Sequence, residues 1–252
     1  MTISVELSGR RILVTGASSG LGAEICRSLV RHGSQVAMIA RRKDRLEELQ
    51  TELGEMAVAI PCDVTDFLLL QAAVAEATDR MGGLDSIVAV AGRAMVGSIE
   101  TGEPERWRDL MTLNIIAPLA TVRYAAEHLT DNGRRDVILV GSTGAITPIP
   151  GVGIYGASKR GLRAACDTLR LELAPKGINV SFIMPGMFET EGLVGAVEFD
   201  GAMPPSEIPM FTSNGCPAPP QTLADTTAFM MGLPEGVCIN ELVIRPTGQL
   251  NP

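Results

Sequence analysis

The stretch RRILVTGASSGLG, Arg10–Gly22, runs an apolar β-forming segment straight into three closely spaced glycines. Beyond them Leu21, Ile25 and Leu29 recur at helical spacing, and Gly33 supplies a stop. A glycine-rich turn alone carries little weight. Between a strand and a helix, it has the context that a phosphate-binding loop needs. Gly16 permits the tight turn, while Gly20 and Gly22 let the backbone approach a pyrophosphate and let the helix pack on the sheet. The anion then rests against the unsatisfied N–H groups at the start of the helix. The residues predicted to line this cradle are Gly16, Ser18, Ser19, Gly20, Leu21 and Gly22.

The same alternation continues outward. Further apolar runs are QVAMIA (35–40), AVAIPC (57–62), SIVAVAG (86–92), DVILVG (136–141), NVSFIM (179–184) and NELVIR (240–245). They are rich in Val and Ile and continuous rather than alternating, which suits parallel strands buried on both faces. Helical patterns lie between most of them, as with Leu46, Leu49 and Leu53. Seven strands with crossover helices predict an α/β fold, a Rossmann-type doubly wound parallel sheet with helices on both faces, in a single domain over 1–252. One region breaks the rhythm. Residues 187–221, with MPPSEIP and GCPAPPQ, show no clear secondary-structure pattern and read as a substrate lid.

Composition narrows the partners. A hydrophobic fraction of 46% supports a sizeable core, and a net charge of −8 argues against nucleic acid or an anionic membrane. No apolar run reaches transmembrane length, and no signal-peptide pattern opens the chain. The five cysteines are irregularly spaced and read as reduced thiols in the cytoplasm. His32 and His128 are isolated, without metal-ligand spacing.

Two further features carry chemistry. The second strand ends in IARRKDR, so Arg41 and Arg42 stand where NAD-binding sites place a carboxylate for the ribose hydroxyl. A guanidinium fits a 2′-phosphate bidentately, which favours NADP. In GIYGASKRGLRAACDTLRLEL, Gly153–Leu173, Tyr155 and Lys159 are separated by one helical turn, so phenol and ammonium share a face. A free tyrosine, with a pKa near 10, is a poor acid–base group at neutral pH, and a neighbouring cation lowers that value.

The glycine loop and the Tyr-x-x-x-Lys pair, in a chain of this length, resemble the short-chain dehydrogenase/reductases, in particular their NADP-preferring members. The resemblance covers essentially the whole chain. It implies Ser142, in VGSTGA, and Asn114, in MTLNIIAPL, as partners of Tyr155 and Lys159 in a catalytic tetrad. It also implies that Asp63 and Val64 lie near the adenine, that Ala91 and Gly92 lie close to the cofactor, and that Pro185, Gly186 and Thr190 lie near the nicotinamide. The chain departs from the family at Ala89-Val90, where Asn-Asn is usual.

The implied activity is NADPH-dependent interconversion of a ketone or aldehyde and an alcohol. Tyr155 is the general acid–base, its pKa lowered by Lys159; Ser142 stabilises the substrate oxygen; Asn114 holds a water that relays protons to Lys159. Two alternatives share the fold: a reductase of carrier- or CoA-linked 3-oxoacyl groups, and a nucleotide-binding regulatory protein without turnover. The lid residues Met187, Phe188, Leu193, Val194, Phe199, Met203, Met210 and Phe211, with no Lys or Arg among 187–221, predict a small, mostly apolar substrate. The family also implies a homodimer or homotetramer.

Overall fold

The computed structural model describes residues 5–130, 133–190 and 217–249, and the backbone of 198–200. The strands are β1 (Arg11–Thr15), β2 (Gln35–Ala40), β3 (Ala57–Pro61), β4 (Ser86–Ala89), β5 (Met95–Gly97), β6 (Arg135–Val140), β7 (Ile178–Pro185), β8 (Glu198–Asp200) and β9 (Glu241–Ile244). The helices are α1 (Gly20–Arg31), α2 (Lys43–Leu53), α3 (Phe67–Met81), α4 (Pro104–Met111), α5 (Ala117–Ala125), α6 (Gly153–Leu173) and α7 (Pro220–Met231). The predicted runs supply all seven strands of the main sheet, in the order β3-β2-β1-β4-β6-β7-β9 and parallel throughout.

Both faces of that sheet are covered, which is why its strands read as continuous apolar runs. Successive side chains on a strand point to opposite faces. Leu13, Val137 and Leu139 therefore pack with Leu70 and Val74 of α3, Val122 of α5 and Leu162 of α6. Ile12, Val14, Ile138 and Val140 pack on the other side with Ile25 and Leu29 of α1, Leu46 of α2 and Leu223 of α7. The helices begin and end on local chemistry. Asp66 caps α3 by accepting from the Leu68 and Leu69 N–H groups, and α3 stops at Gly82 in the left-handed region. Among the described residues, no helix is long and apolar enough to cross a membrane.

β1 has β2 on one side and β4 on the other. The chain leaves β1 in one direction and later resumes on its opposite edge, so the crevice at the C-terminal ends of β1 and β4 is the place where such sheets hold ligands.

The stretch 187–221 needs correcting. It is not devoid of secondary structure: β8 pairs in parallel with β5 in a second, two-stranded sheet, and Pro220 and Gln221 already belong to α7. Three-residue strands leave no periodicity to read, and proline suits the first turn of a helix. Leu193, Val194, Met203, Met210, Phe211 and the Phe199 side chain lie outside the described residues.

Candidate active site

Gly16 leaves β1 with φ +73°. A Cβ there would stand 2.8 Å from the Ala91 N and Cα, so the backbones after β1 and β4 touch at the floor of the crevice. Gly22 is equally constrained: its Cβ would lie 2.2 Å from the Gly16 carbonyl oxygen, so only glycine lets α1 start this close. Gly20 has φ +52°, and its Cβ would lie 3.2 Å from Cβ of Thr190. The segment after β7 thus faces the glycine loop. The Ser19 side chain makes no capping bond to α1; its hydroxyl instead accepts from Arg42, whose Nε also donates to Ser18 Oγ at 3.2 Å. Leu21 is half-buried beside the loop. Next to these residues a cleft of about 360 Å³ runs between α1 and α2, with Ser18, Ser19, Gly20 and Thr190 in its wall.

Arg41 is well exposed and lies 3.8 Å from Asp63. Burial works to raise the Asp63 pKa, but two hydrogen bonds from Thr65 and the charge of Arg41 bring it below the ordinary value. Val64 beside it is buried. The departure at Ala89-Val90 has a packing account. Ala89 sits in the sheet between Thr15 and Leu139, and Val90 packs against the core on the α1 side. The loop they open is held by the Ala91 N–H donating to the Thr15 hydroxyl at 3.3 Å and by the contact with Gly16.

The four tetrad positions converge at the C-terminal ends of β4 and β6. Ser142 follows β6 and caps a short 3₁₀ turn, Thr143–Ala145, by accepting from the Gly144 N–H at 3.1 Å. It is also hydrogen-bonded to Tyr155. The Tyr155 ring packs on Gly144, where a Cβ would lie 3.3 Å from Cε1. Lys159 is buried, 5% exposed, and donates to the Val140 carbonyl at 3.2 Å. Its Nζ is 6.0 Å from the centre of the Tyr155 ring.

One electrostatic expectation is overturned. Lys159 does not bring the Tyr155 pKa down in this structure. Burial raises it, and the hydrogen bond to Ser142 opposes only in part. Burial also pulls the Lys159 pKa down to about 8. Taking a charge out of water disfavours it, and that is the largest cause on both side chains.

Asn114 lies in a π-helical turn, Thr112–Ile116, between α4 and α5. Such single turns recur at functional sites. Its carboxamide is fully buried and already committed: Nδ2 donates to the Arg93 carbonyl and to Ser158 Oγ, and Oδ1 accepts from the Arg93 N–H, each at 3.0 Å. Both amide protons are therefore spent, and a water would have to use the remaining lone pair of Oδ1 or the backbone. Gly92 separates Asn114 from Lys159: a Cβ on it would lie 3.1 Å from Asn114 Oδ1 and 3.2 Å from Lys159 Nζ. Pro185 ends β7, and the Gly186 N–H donates to the Ile244 carbonyl at 2.8 Å, so the chain turns towards Thr190 under the C-terminal segment.

Sequence reading missed Ser158 and the backbone of Arg93. A serine inside a helix looks like an ordinary polar position, and no local pattern announces a backbone partner.

The family model for short chain dehydrogenase matches residues 10–199. A fatty acyl-CoA reductase of Mycobacterium tuberculosis is 30% identical over 98% of this chain and 88% of its own length. The glycine betaine reductase of Emericella nidulans is 31% identical over 95% of the chain, which spans only 19% of that longer relative. Among solved structures, a short chain dehydrogenase from Burkholderia cenocepacia in complex with NADP matches with a TM-score of 0.80 at 30% identity, covering 95% of this chain and 97% of that one.

Proposed function

The chain belongs to the short chain dehydrogenase family of oxidoreductases, and from that premise we propose that it interconverts a ketone or aldehyde and an alcohol with NADP(H). The observation that carries this reading is the convergence of Ser142, Tyr155, Lys159 and Asn114 on the crevice that also holds the glycine loop.

The residues fit a dinucleotide. Gly16, Gly20 and Gly22 leave a cradle that side chains would fill, and the start of α1 is free of side-chain capping. Gly16, Ser18, Ser19, Gly20, Leu21 and Gly22 would hold the pyrophosphate, Asp63 and Val64 the adenine, Ala91, Gly92, Pro185, Gly186 and Thr190 the nicotinamide side. Arg42, already directed at Ser18 and Ser19, would meet a 2′-phosphate together with Arg41. When bound, the nicotinamide supplies hydride in reduction and takes it up in oxidation.

Tyr155, a phenol that ordinarily keeps its proton at neutral pH, donates that proton to the substrate's carbonyl oxygen during reduction. Ser142 accepts from Gly144 and is hydrogen-bonded to Tyr155; its hydroxyl can turn to donate to the same substrate oxygen. Lys159 supplies positive charge beside the phenol and holds a proton to replace the one given up. Asn114 keeps the Gly92 loop against Lys159 and offers its remaining acceptor sites to a water.

An apolar substrate is supported by Ile99 and Ile146, 60% and 38% exposed. Ile99 packs on Gly153 just ahead of Tyr155, and Ile146 ends the turn that starts after Ser142. The relation to a fatty acyl-CoA reductase makes a CoA-linked acyl substrate the second reading. A cytoplasmic dimer or tetramer completes the proposal.

The test is a fluorescence titration with NADPH and NADH, followed by a panel of apolar carbonyls. NADPH should bind about 10-fold or more tighter, and Arg42→Ala should erase the difference. Equal affinity in the wild type would sink the NADP assignment. Better turnover of anionic than of neutral carbonyls would sink the substrate class.

A further inference from the structure

We propose that Ser158 is a positioning residue, the tie that holds the Asn114 carboxamide against the catalytic turn of α6 and so fixes the surroundings of Lys159. The inference rests on the proposed function only in taking Tyr155 and Lys159 as the acid–base pair.

Ser158 is fully buried, one residue before Lys159. A hydroxyl has a single proton to give. Ser158 gives it to the Tyr155 carbonyl at 2.7 Å, so towards Asn114 it can only accept. It does so from Nδ2 at 3.0 Å. The second Nδ2 proton goes to the Arg93 carbonyl, and Oδ1 takes the Arg93 N–H. Arg93 thus sets which way the amide faces, and Ser158 sets how closely the whole unit sits against α6. The Ile115 side chain, next in the π turn, packs on Gly161 of the same helix and brings the two elements together without fixing the amide.

The consequence falls on Lys159. Asn114 Oδ1 and Lys159 Nζ flank Gly92, each near 3 Å from the place a Cβ would occupy. The negative end of the amide dipole therefore lies on the ammonium's side, together with the Val140 carbonyl that accepts from Nζ. Tyr155 is a titratable side chain beside Lys159, and burial lowers the Lys159 pKa. In a site shielded from water a fixed dipole of this kind favours the charged form. Removing the Ser158 hydroxyl leaves one Asn114 proton buried without a partner and lets the amide move off.

The test measures the Lys159 titration directly, by NMR of the lysine side chain in nucleotide-free protein, for wild type, Ser158→Ala and Ser158→Thr. Kinetics with NADPH and a carbonyl substrate run in parallel. Ser158→Ala should move the midpoint down by about half a pH unit. It should also lower kcat about 10-fold with KM for the nucleotide unchanged. Ser158→Thr, which keeps the hydroxyl, should restore both. An unchanged midpoint and unchanged kcat in Ser158→Ala overturn the inference, as does a loss of thermal stability alone. A shifted midpoint in a protein that reduces no carbonyl leaves the positioning role standing and sinks the proposed function instead.

Discussion

At the N-terminal ends of the strands, buried charge is neutralised by buried charge. Asp136, 2% exposed, meets Arg10 at 2.7 Å and Arg134 at 2.8 Å, with Ser86 and Asn179 adding hydrogen bonds. Beside it Arg11 pairs with Asp85 at 2.8 Å, and Thr130 bonds to both. Burial pushes the Asp85 pKa up, yet the hydrogen bonds from Arg11 and Thr130 outweigh it and leave the carboxyl below its ordinary value. At the C-terminal ends the opposite holds. Lys159 is buried as well, but its partner is a backbone carbonyl, and its pKa falls to about 8. One end of the sheet uses charge to fix strand positions. The other keeps an ammonium poorly compensated beside Tyr155, at a cost in stability.

The largest expected effect is on turnover. Tyr155→Phe should lower kcat by about 10²- to 10⁴-fold while nucleotide binding and melting temperature stay near wild type. If turnover survives, the C-terminal end is not the acid–base site and the contrast fails. At the other end, Asp136→Asn leaves two partly buried guanidinium groups short of a counter-charge. Chemical denaturation should register a loss of about 3–5 kcal/mol, with the kinetics of the still-folded fraction unaltered. A loss comparable to that of an exposed pair would mean that the N-terminal network is decorative.

Lys159→Met sharpens the contrast because it should abolish activity and stabilise the nucleotide-free protein. Below pH 8 the fold carries its ammonium at full cost. Between about 8 and 10.5 the folded state releases the proton that the unfolded chain retains, so wild-type stability should rise with pH across that window. The variant should lack this rise and gain on the order of 3 kcal/mol at most near neutrality. Denaturation midpoints at several pH values check it; a destabilised variant with the same pH slope would contradict the assigned cost. Asp85 gives a slope of the same sign for a different reason: its lowered pKa stabilises the fold above the carboxylate range, and that stabilisation is lost on acidification.

The fold was readable because its central strands are buried on both faces, which makes each of those a continuous apolar run. The extent of α6 was readable for a related reason: Leu162, Leu169 and Leu173 repeat at helical spacing from the tetrad to its end. Glycines are also legible, since few other reasons put three of them between a strand and a helix. Other features leave no local trace. β5 and β8 are too short to show a period. The π turn at Asn114 adds a residue to a helix without changing its composition. Spacing placed Tyr155 beside Lys159, but it could not show that Lys159 would be buried and Tyr155 half-buried, and desolvation reversed the expected direction of the tyrosine shift. The role of Ser158 depends on partners in two other segments, Asn114 and Tyr155, which only the folded chain brings together.

The placement of β1 between β2 and β4 also has a kinetic side. Pairing β1 with β2 closes a loop through α1 alone; pairing it with β4 closes one about three times as long. Loop-closure entropy grows with length, and non-local parallel pairings form late. The glycine loop, Arg42 and Asp63 all belong to the early-closing side, whereas Asn114, Ser142, Tyr155 and Lys159 gather only once β4 and β6 have docked. As the chain emerges during synthesis, the glycine-loop side is therefore assembled first, and the segments that carry Asn114, Ser142, Tyr155 and Lys159 are built onto the β1 edge.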